Sequence, residues 1–497
     1  MVIRTRFAPS PTGYLHIGGL RSALYSYFFA RKHHGQFLLR VEDTDQSRYV
    51  PGAVENLIKV LGQVGVDYDE GPIIKDDGTL GEKGEFGPYT QSSRLALYQE
   101  HAKLLVERGS AYYCFCSEER LETMHKELAL AKLPPKYDRT CLRLTPEEIQ
   151  AKLAAGEKYV IRLRIPEGTS EFDDLIRGHI KFDNAEVDDP IILKSDGFPT
   201  YHLAVVVDDH FMKITHAFRA EEWLPSTPKH LVIYKALGWE IPFFAHLPQV
   251  LNKDKKKLSK RQGDVSVEDF LKKGYLPAAL NNYMALCGFN PKADQEIYSM
   301  AEFIELFDIE KVNKAGAVFD VEKLNWMNSQ YIHKTSVDEL TTLCLPYLAE
   351  AGKTFSPELI KKICTVERER LVLLSDIVEK VDSYQKLPDY AAELLIWKKS
   401  SRPGGAGSGF AGEEALEQLK KIIPLFETLN LSSVELIEAA IREYIVSNNL
   451  QNGAVLWPLR AALSGAAASP SPFELIWVLG KEESLNRLNH AVQLLSA

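Results

Sequence analysis

A chain that opens as strand, glycine-containing turn and helix has few folds available to it, and residues Arg6 to Gly19 (RFAPSPTGYLHIGG) set up that order of events. Val2 to Ala8 reads as a short strand. Pro9 and Pro11 then keep the backbone extended, because the residue before a proline is pushed out of the helical region. Gly13 permits a turn, and Gly18 and Gly19 permit close approach of a ligand to the backbone. A helix is expected from about Leu20 to Lys32, with Leu20, Leu24, Tyr27 and Phe28 on one face. A strand, a glycine-containing turn and a helix start in that order are suited to receiving phosphate. Neither the Walker lysine nor the GxGxxG spacing is present, so those two nucleotide motifs are excluded.

A second stretch far downstream changes the meaning of the first. Lys257-Leu-Ser-Lys260-Arg261 closes the basic run Lys253 to Arg261. HIGG followed by KLSKR resembles the paired signatures of the class I aminoacyl-tRNA synthetases. The words between them are VEDTD (Val41 to Asp45), DGFPTYHLAVVVDDH (Asp196 to His210) and RAEEW (Arg219 to Trp223). Together they resemble the glutamyl-tRNA synthetase family of bacterial and organellar type, over Arg6 to about Ala491.

The chain has 497 residues, which suggests roughly three to five domains of about 100–150 residues. Its 45% hydrophobic and 26% charged content is that of a soluble globular protein. No run reaches the ~18 apolar residues of a membrane span, and no N-terminal signal segment is visible. Six cysteines make a poor disulfide scaffold at this length, so a cytoplasmic setting is expected. The net charge of −9 argues against an overall basic nucleic-acid binder. Local basic surfaces can still meet phosphate: Lys253 to Arg261, Lys361-Lys362 with Arg368 and Arg370, and Lys398-Lys399 with Arg402. An ordinary solvated face is the competing reading for each.

The expected architecture is multidomain, α/β followed by all-α. A Rossmann-like parallel-sheet catalytic domain (1–110 and 194–240) is split by an inserted α+β domain (111–193), which the resemblance assigns to the tRNA acceptor stem. A stem-contact domain carrying KLSKR follows (241–333), then two helical anticodon-binding domains (334–390 and 391–497). Gln36 to Glu42 reads as a buried strand and Pro51 to Val64 as an amphipathic helix. Asp76 to Gly87 reads as a loop, and Ile191 to Lys194 and His202 to Val207 as returning strands. Beyond about His333 only helical periodicity remains, with Pro357 to Val381 and Ala391 to Lys399 among the expected helices. Ser400 to Gly409 (SSRPGGAGSG) has the composition of a flexible loop.

Two clusters could hold metal. Asp208-Asp209-His210 reads instead as the end of a strand that shapes the pocket. Cys114, Cys116 and Cys141 resemble a zinc site of some family members, whose fourth ligand is a histidine two positions after the third cysteine. Arg143 stands there and cannot ligate; His125 or Tyr137 could stand in. Three plain thiols are the favoured reading, and no protein metal site is assigned.

The resemblance implies joining of L-glutamate to the α-phosphate of ATP and transfer of the acyl group to the terminal adenosine of tRNA(Glu). The carboxylate is already a nucleophile, so positioning and charge stabilisation suffice. His16, Lys260 and Lys257 are the implied catalytic residues, with Arg261 assisting. Ser10, His16, Gly18, Glu222, Val250 and Lys260 would line the ATP site, with Mg²⁺ held largely by the phosphates. Arg6, Ala8, Ser10, Glu42, Tyr201, His202 and Arg219 would bind glutamate: Arg219 the side-chain carboxylate, Glu42 the ammonium. Guanidinium fits carboxylate with two bonds. Where the family usually reads Asn, this chain has Val205, which removes an amide from that neighbourhood. Arg368 and Arg370 would meet the anticodon. A monomer is expected. The rivals are a ligase that also charges tRNA(Gln), a glutaminyl-tRNA synthetase, the short glutamyl-queuosine enzyme, a silent tRNA-binding paralogue, and a small-metabolite nucleotidyltransferase. The helical run after His333 opposes the second and third. His16 and Lys260 oppose the fourth, and a tRNA-sized C-terminal half opposes the last.

Overall fold

The computed structural model describes residues 2–134, 136–256, 258, 265–397 and 412–496. Lys257, Lys260 and Arg261, the basic group Lys398, Lys399 and Arg402, and the glycine-rich stretch 400–409 lie outside the described residues. The chain divides into two compact units, Met1–Lys272 with Pro277–Leu324, and Lys273–Leu276 with Asn325–Ala497.

In the first unit, β1 (Arg4–Phe7) is followed by α1 (Ile17–Lys32) and by β2 (Gln36–Leu39), which pairs with β1 in parallel from Arg4↔Gln36 to Phe7↔Leu39. Next come α2 (Ala53–Gln63) and a hairpin of β3 (Gly71–Ile74) and β4 (Leu80–Lys83), then α3 (Leu95–Glu107). The stretch expected to be a loop, Asp76 to Gly87, therefore contains a strand. β4 is mostly exposed, so it lacks the apolar alternation that would reveal it.

β5 (Ala111–Cys114), α4 (Glu118–Leu130), α5 (Pro146–Ala154) and β6 (Val160–Leu163) follow. β7 (Thr169–Asp174) and β8 (Gly178–Asp183) form an antiparallel hairpin, and β9 (Ile191–Leu193) closes an antiparallel sheet of order β5-β6-β9. β7 was not foreseen: TSEFDD offers two apolar or β-branched positions in six.

The chain then returns through α6 (Tyr201–Phe211), β10 (His216–Ala220), α7 (Thr227–Leu237) and β11 (Phe243–Leu247). β10 and β11 are parallel, and β7 joins β11 at Phe244↔Asp174. The N–H of Thr215, just before β10, donates to the Arg4 carbonyl at 3.0 Å, so β10 lies beside β1. The order β11-β10-β1-β2 brings four carboxyl ends to one edge, where parallel α/β sheets bind ligands. The expected strand His202 to Val207 is a helix, and Asp208-Asp209-His210 closes that helix rather than a strand. Leu203 to Asp209 are all buried. An element buried on every side has no polar face to show its period, so the valine run misled the reading.

α1 is likewise buried nearly all round, clamped between the sheet and the helices that follow. After β12 (Val250–Leu251) come α8 (Val267–Lys272), α9 (Pro277–Leu286), α10 (Met300–Leu306) and β13 (Ala317–Val318), paired in parallel with β12. Tyr25 of α1 donates to the Ala285 carbonyl at 2.8 Å, and Phe28 stacks on Phe303 with centroids 5.4 Å apart.

The second unit is helical, with no strand among its described residues. α11 (Val321–Lys334) leads to α12 (Val337–Glu350), α13 (Pro357–Glu367), α14 (Ile377–Gln385), α15 (Gly412–Ile422), α16 (Val434–Ser447), α17 (Asn452–Ser464) and α18 (Pro472–Ser496). The single helix expected over Pro357 to Val381 is broken, because the Asp376 carboxylate accepts from the N–H groups of Val372 (3.0 Å) and Leu373 (2.8 Å) and turns the chain there. Ala391 to Lys399 holds only a short 3₁₀ turn, Ala392–Leu395, in its described part.

Candidate active site

A cavity of about 590 Å³ opens at the carboxyl ends of β1, β2 and β10. Arg6, Ala8, Ser10, Glu42, Tyr201 and Arg219 all line it, as do Thr44, Lys194, Thr200 and Trp223. Behind Arg6 and Glu42 on one wall lies a buried ionic lattice. Asp209 accepts from Arg6 Nε (3.0 Å) and Nη2 (3.3 Å) and from Arg40 Nη1 (2.7 Å). Arg40 also donates to Glu42 at 2.9 Å. Asp208 accepts from Arg94 (2.7 Å), Gln91 (2.8 Å) and Tyr98 (2.8 and 2.9 Å). Burial raises the Glu42 pKa, against the pull of Arg40 and Arg6. For Asp209 burial also acts upward, but Arg6 and Arg40 overcome it and hold the carboxyl low.

The other wall is built differently. Arg219, 6% exposed at the end of β10, donates from Nε to His246 Nε2 (2.9 Å) and from Nη1 to His230 Nδ1 (2.9 Å) and Tyr201 Oη (3.4 Å). Its Nη2 donates to Thr227 Oγ1 at 2.7 Å. Every one of these acceptors is uncharged. Among the described residues no carboxylate lies within ion-pair reach of this guanidinium. A buried cation without a counter-ion is costly, and a carboxylate ligand is the natural remedy.

Gly19, Ser22 and Ala220 are shared with a second cavity of about 440 Å³, lined also by His16, Gly18, Glu222, Val250 and Leu258. His16 is the N-cap of α1, and its Nδ1 accepts from the Gly18 N–H at 3.0 Å. The neutral ring therefore carries its proton on Nε2. A Cβ at residue 18 would stand 3.2 Å from Nδ1, so glycine gives the imidazole its seat. The chain on either side of residues 259–264 bonds to this neighbourhood. Leu258 N–H donates to Val250 O at 3.1 Å, and Ile17 and Val267 exchange backbone bonds with Val265 (2.9 Å) and Leu15 (2.8 Å).

The family described as tRNA synthetases class I (E and Q), catalytic domain, matches residues 2–326, and an anticodon binding domain matches residues 339–492. The chain belongs to this class I synthetase family. A glutamate–tRNA ligase of Alkaliphilus metalliredigens is 45% identical over 500 residues, covering 98% of each chain. One from Clostridium botulinum strain Eklund 17B is 46% identical, covering 99% of each. The solved glutamate tRNA ligase of Elizabethkingia meningosepticum, in complex with its amino acid, matches at a TM-score of 0.87 and 34% identity over 100% of both chains. The synthetase is thus a Rossmann-like catalytic part followed by a helical anticodon-binding part.

Other site residues expected from the sequence fall in different places. His202 is absent from the cavity wall; its Nδ1 lies 3.2 Å from His230 Nε2, so it stands behind His230. Arg6 lines the cavity, but Asp209 and the Phe218 carbonyl (3.0 Å from Nη1) already take three of its N–H groups. Val205 is buried in the apolar core of α6 and its neighbours and does not line the cavity. Arg368 and Arg370 sit on the 3₁₀ turn after α13; Arg370 is exposed and its Nη1 donates to Val366 O at 2.8 Å. Sequence reading missed Arg40, Thr227, His230 and His246. A charged residue inside an apolar run, as in QFLLRVE, was the available signal.

The synthetase's thiol cluster is compact. The Sγ atoms of Cys114, Cys116 and Cys141 lie within 4.8 Å of one another. Tyr137 Oη stands 3.4 Å from Cys114 Sγ and 3.2 Å from Cys116 Sγ, and accepts from the Cys141 N–H at 3.1 Å. Arg162 and Arg120 each donate to a sulfur, at 3.4 and 3.3 Å. No helix among the described residues is long and apolar enough to cross a membrane.

Proposed function

We propose that this synthetase is a glutamate–tRNA ligase, converting ATP, L-glutamate and tRNA(Glu) to glutamyl-tRNA, AMP and pyrophosphate. The observation that carries the reading is one cavity holding the uncompensated Arg219 opposite the buried acid Glu42, open to the cavity of His16. Arg219 would take the side-chain carboxylate, and Glu42 the ammonium with Tyr201 in support. The α-carboxylate oxygen then attacks the α-phosphorus of ATP, the bond to the β-phosphate oxygen breaks, and pyrophosphate leaves. His16 Nε2–H would donate to phosphate oxygens at the start of α1. Lys260, with Lys257 and Arg261, would meet charge on the leaving group, and Mg²⁺ would accompany the phosphates. The ribose hydroxyl of the tRNA's terminal adenosine finally displaces AMP. Arg368 and Arg370 would contact the anticodon, and the division at 110, 193, 240, 333 and 390 belongs to the same reading. The test is incubation with ATP, labelled glutamate and total tRNA: acid-precipitable label is expected, and its absence defeats the assignment. Repeating it with tRNA(Gln) decides whether that tRNA is also charged.

The thiol cluster supports a second assignment. Three sulfurs supply three of the four donors of a structural zinc site, and the Tyr137 oxygen stands beside them where a fourth is needed, which supports a metal where the sequence favoured plain thiols. Bound zinc would supply a cross-link for this sheet and no step of the reaction. One zinc per chain by elemental analysis of purified protein is expected, and none refutes it.

A further inference from the structure

The neutral surroundings of Arg219 have a source on a neighbouring strand. Asp174, buried at the end of β7, accepts from His246 Nδ1 at 2.5 Å. It also accepts from the backbone N–H groups of His246 (3.1 Å), Ile176 (3.0 Å) and Arg177 (2.9 Å). An ionised carboxylate can only accept, so the His246 proton sits on Nδ1 and Nε2 is left as a lone pair. That lone pair receives the Arg219 Nε–H. His230 repeats the device: its Nδ1 accepts from Arg219, so its proton lies on Nε2, facing His202 Nδ1. Burial lowers the pKa of both rings, which keeps them uncharged beside the guanidinium.

We propose that Asp174, His246 and His230 are positioning residues that hold Arg219 rigidly without neutralising it, and so make the cavity select a carboxylate over an uncharged carboxamide side chain. The proposal rests on the reading of this cavity as the glutamate site. Asp174 acts at one remove. Placed directly on Arg219, as Asp209 is on Arg6, it would cancel the charge a substrate carboxylate needs. Placed behind a histidine, it fixes a tautomer and leaves the cation's field directed at the cavity.

Asp174→Asn tests this. With the amide oxygen in the place of Oδ1, the variant keeps the N–H groups of Ile176 and Arg177 and the longer, 3.3 Å bond from His246 N–H, but its NH₂ faces His246 Nδ1 and drives the proton to Nε2. Nε2–H then meets the Arg219 N–H, donor against donor. The expected result is a rise in the KM for glutamate on the order of 10²-fold, with the KM for ATP and the Tm nearly unchanged. The ratio of kcat/KM for glutamate over glutamine should fall in step. A glutamine at 246 offers Arg219 an acceptor oxygen whatever stands at 174. Adding D174N to His246→Gln should therefore cost little, while His246→Leu should lose the glutamate preference. A folded D174N with an unchanged glutamate KM, or an unchanged glutamate-to-glutamine ratio, overturns the proposal. So does full additivity in the double variant. If D174N does not fold, the contrast between H246Q and H246L decides alone, and equal behaviour of the two overturns it. Wild-type charging is measured alongside: loss of that signal would defeat the functional reading, whereas normal charging with indifferent variants defeats only this inference.

Discussion

Arg6 and Arg219 line the same cavity, at 4% and 6% exposure, and do opposite things. On the β1–β2 wall every charge has its partner: Arg6 and Arg40 share Asp209, and Arg40 also holds Glu42. On the β10 wall the cation's hydrogen bonds go, among the described residues, to imidazole, hydroxyl and phenol, and it lies 4.9 Å from the centre of the Phe244 ring. A buried arginine is thus not a receptor by virtue of its type. It becomes one when its neighbours satisfy its hydrogen bonds and leave its charge.

The largest expected effect breaks the unpaired wall. Arg219→Gln should cost about 4 kcal/mol in kcat/KM for glutamate, roughly a thousandfold, while the protein stays as stable as wild type or becomes more so. Steady-state charging and urea denaturation check both halves. The paired wall should fail the other way. Asp209→Asn leaves buried Arg6 without a carboxylate and takes one of Arg40's, and should lower unfolding free energy by about 3 kcal/mol. Because Arg6 and Arg40 depress the Asp209 pKa, its contribution is present above the unfolded carboxylate pKa and is lost as pH falls through the lower folded value. Acid denaturation of the variant should therefore lack part of that limb.

Glu42 joins the two walls' functions and should give a smaller effect. Glu42→Gln should raise the glutamate KM by about 2 kcal/mol, roughly thirtyfold. Burial raises the Glu42 pKa, so the ionised form that pairs with ammonium is lost earlier on acidification than for an exposed carboxylate. The wild-type KM for glutamate should climb as pH falls toward the upper edge of the carboxylate range, and E42Q should not show that climb. The smallest effect lies outside both walls. Arg370→Gln should change the preference between tRNA(Glu) and tRNA(Gln) by about 1 kcal/mol, some fivefold, with glutamate KM unmoved.

The sequence carried most of this architecture because its glycine turn, apolar runs and helical C-terminal periodicity each have a local cause. Its errors share another. α6 was misread because burial on every side erases the polar face, and β7 because TSEFDD offers almost no apolar alternation. The cavity's cations were legible as charges beside motif words, but whether each was paired was not. Arg6 depends on Asp209 and Arg219 on His246, contacts made only after the chain has folded back. Tyr137 stood in the sequence as one of two stand-ins beside the cysteines, with His125, and it is the fold that sets its oxygen 3.4 and 3.2 Å from the sulfurs of Cys114 and Cys116.

Helix α6 carries Tyr201 at its first position and Asp208 and Asp209 near its last. Eleven residues make a stiff rod of about 16 Å, touching the receptor cation at one tip and the salt lattice at the other. Any slide or roll of that rod must disturb both tips together. Selection can therefore retune this pocket by swapping side chains, but hardly by nudging the backbone beneath them.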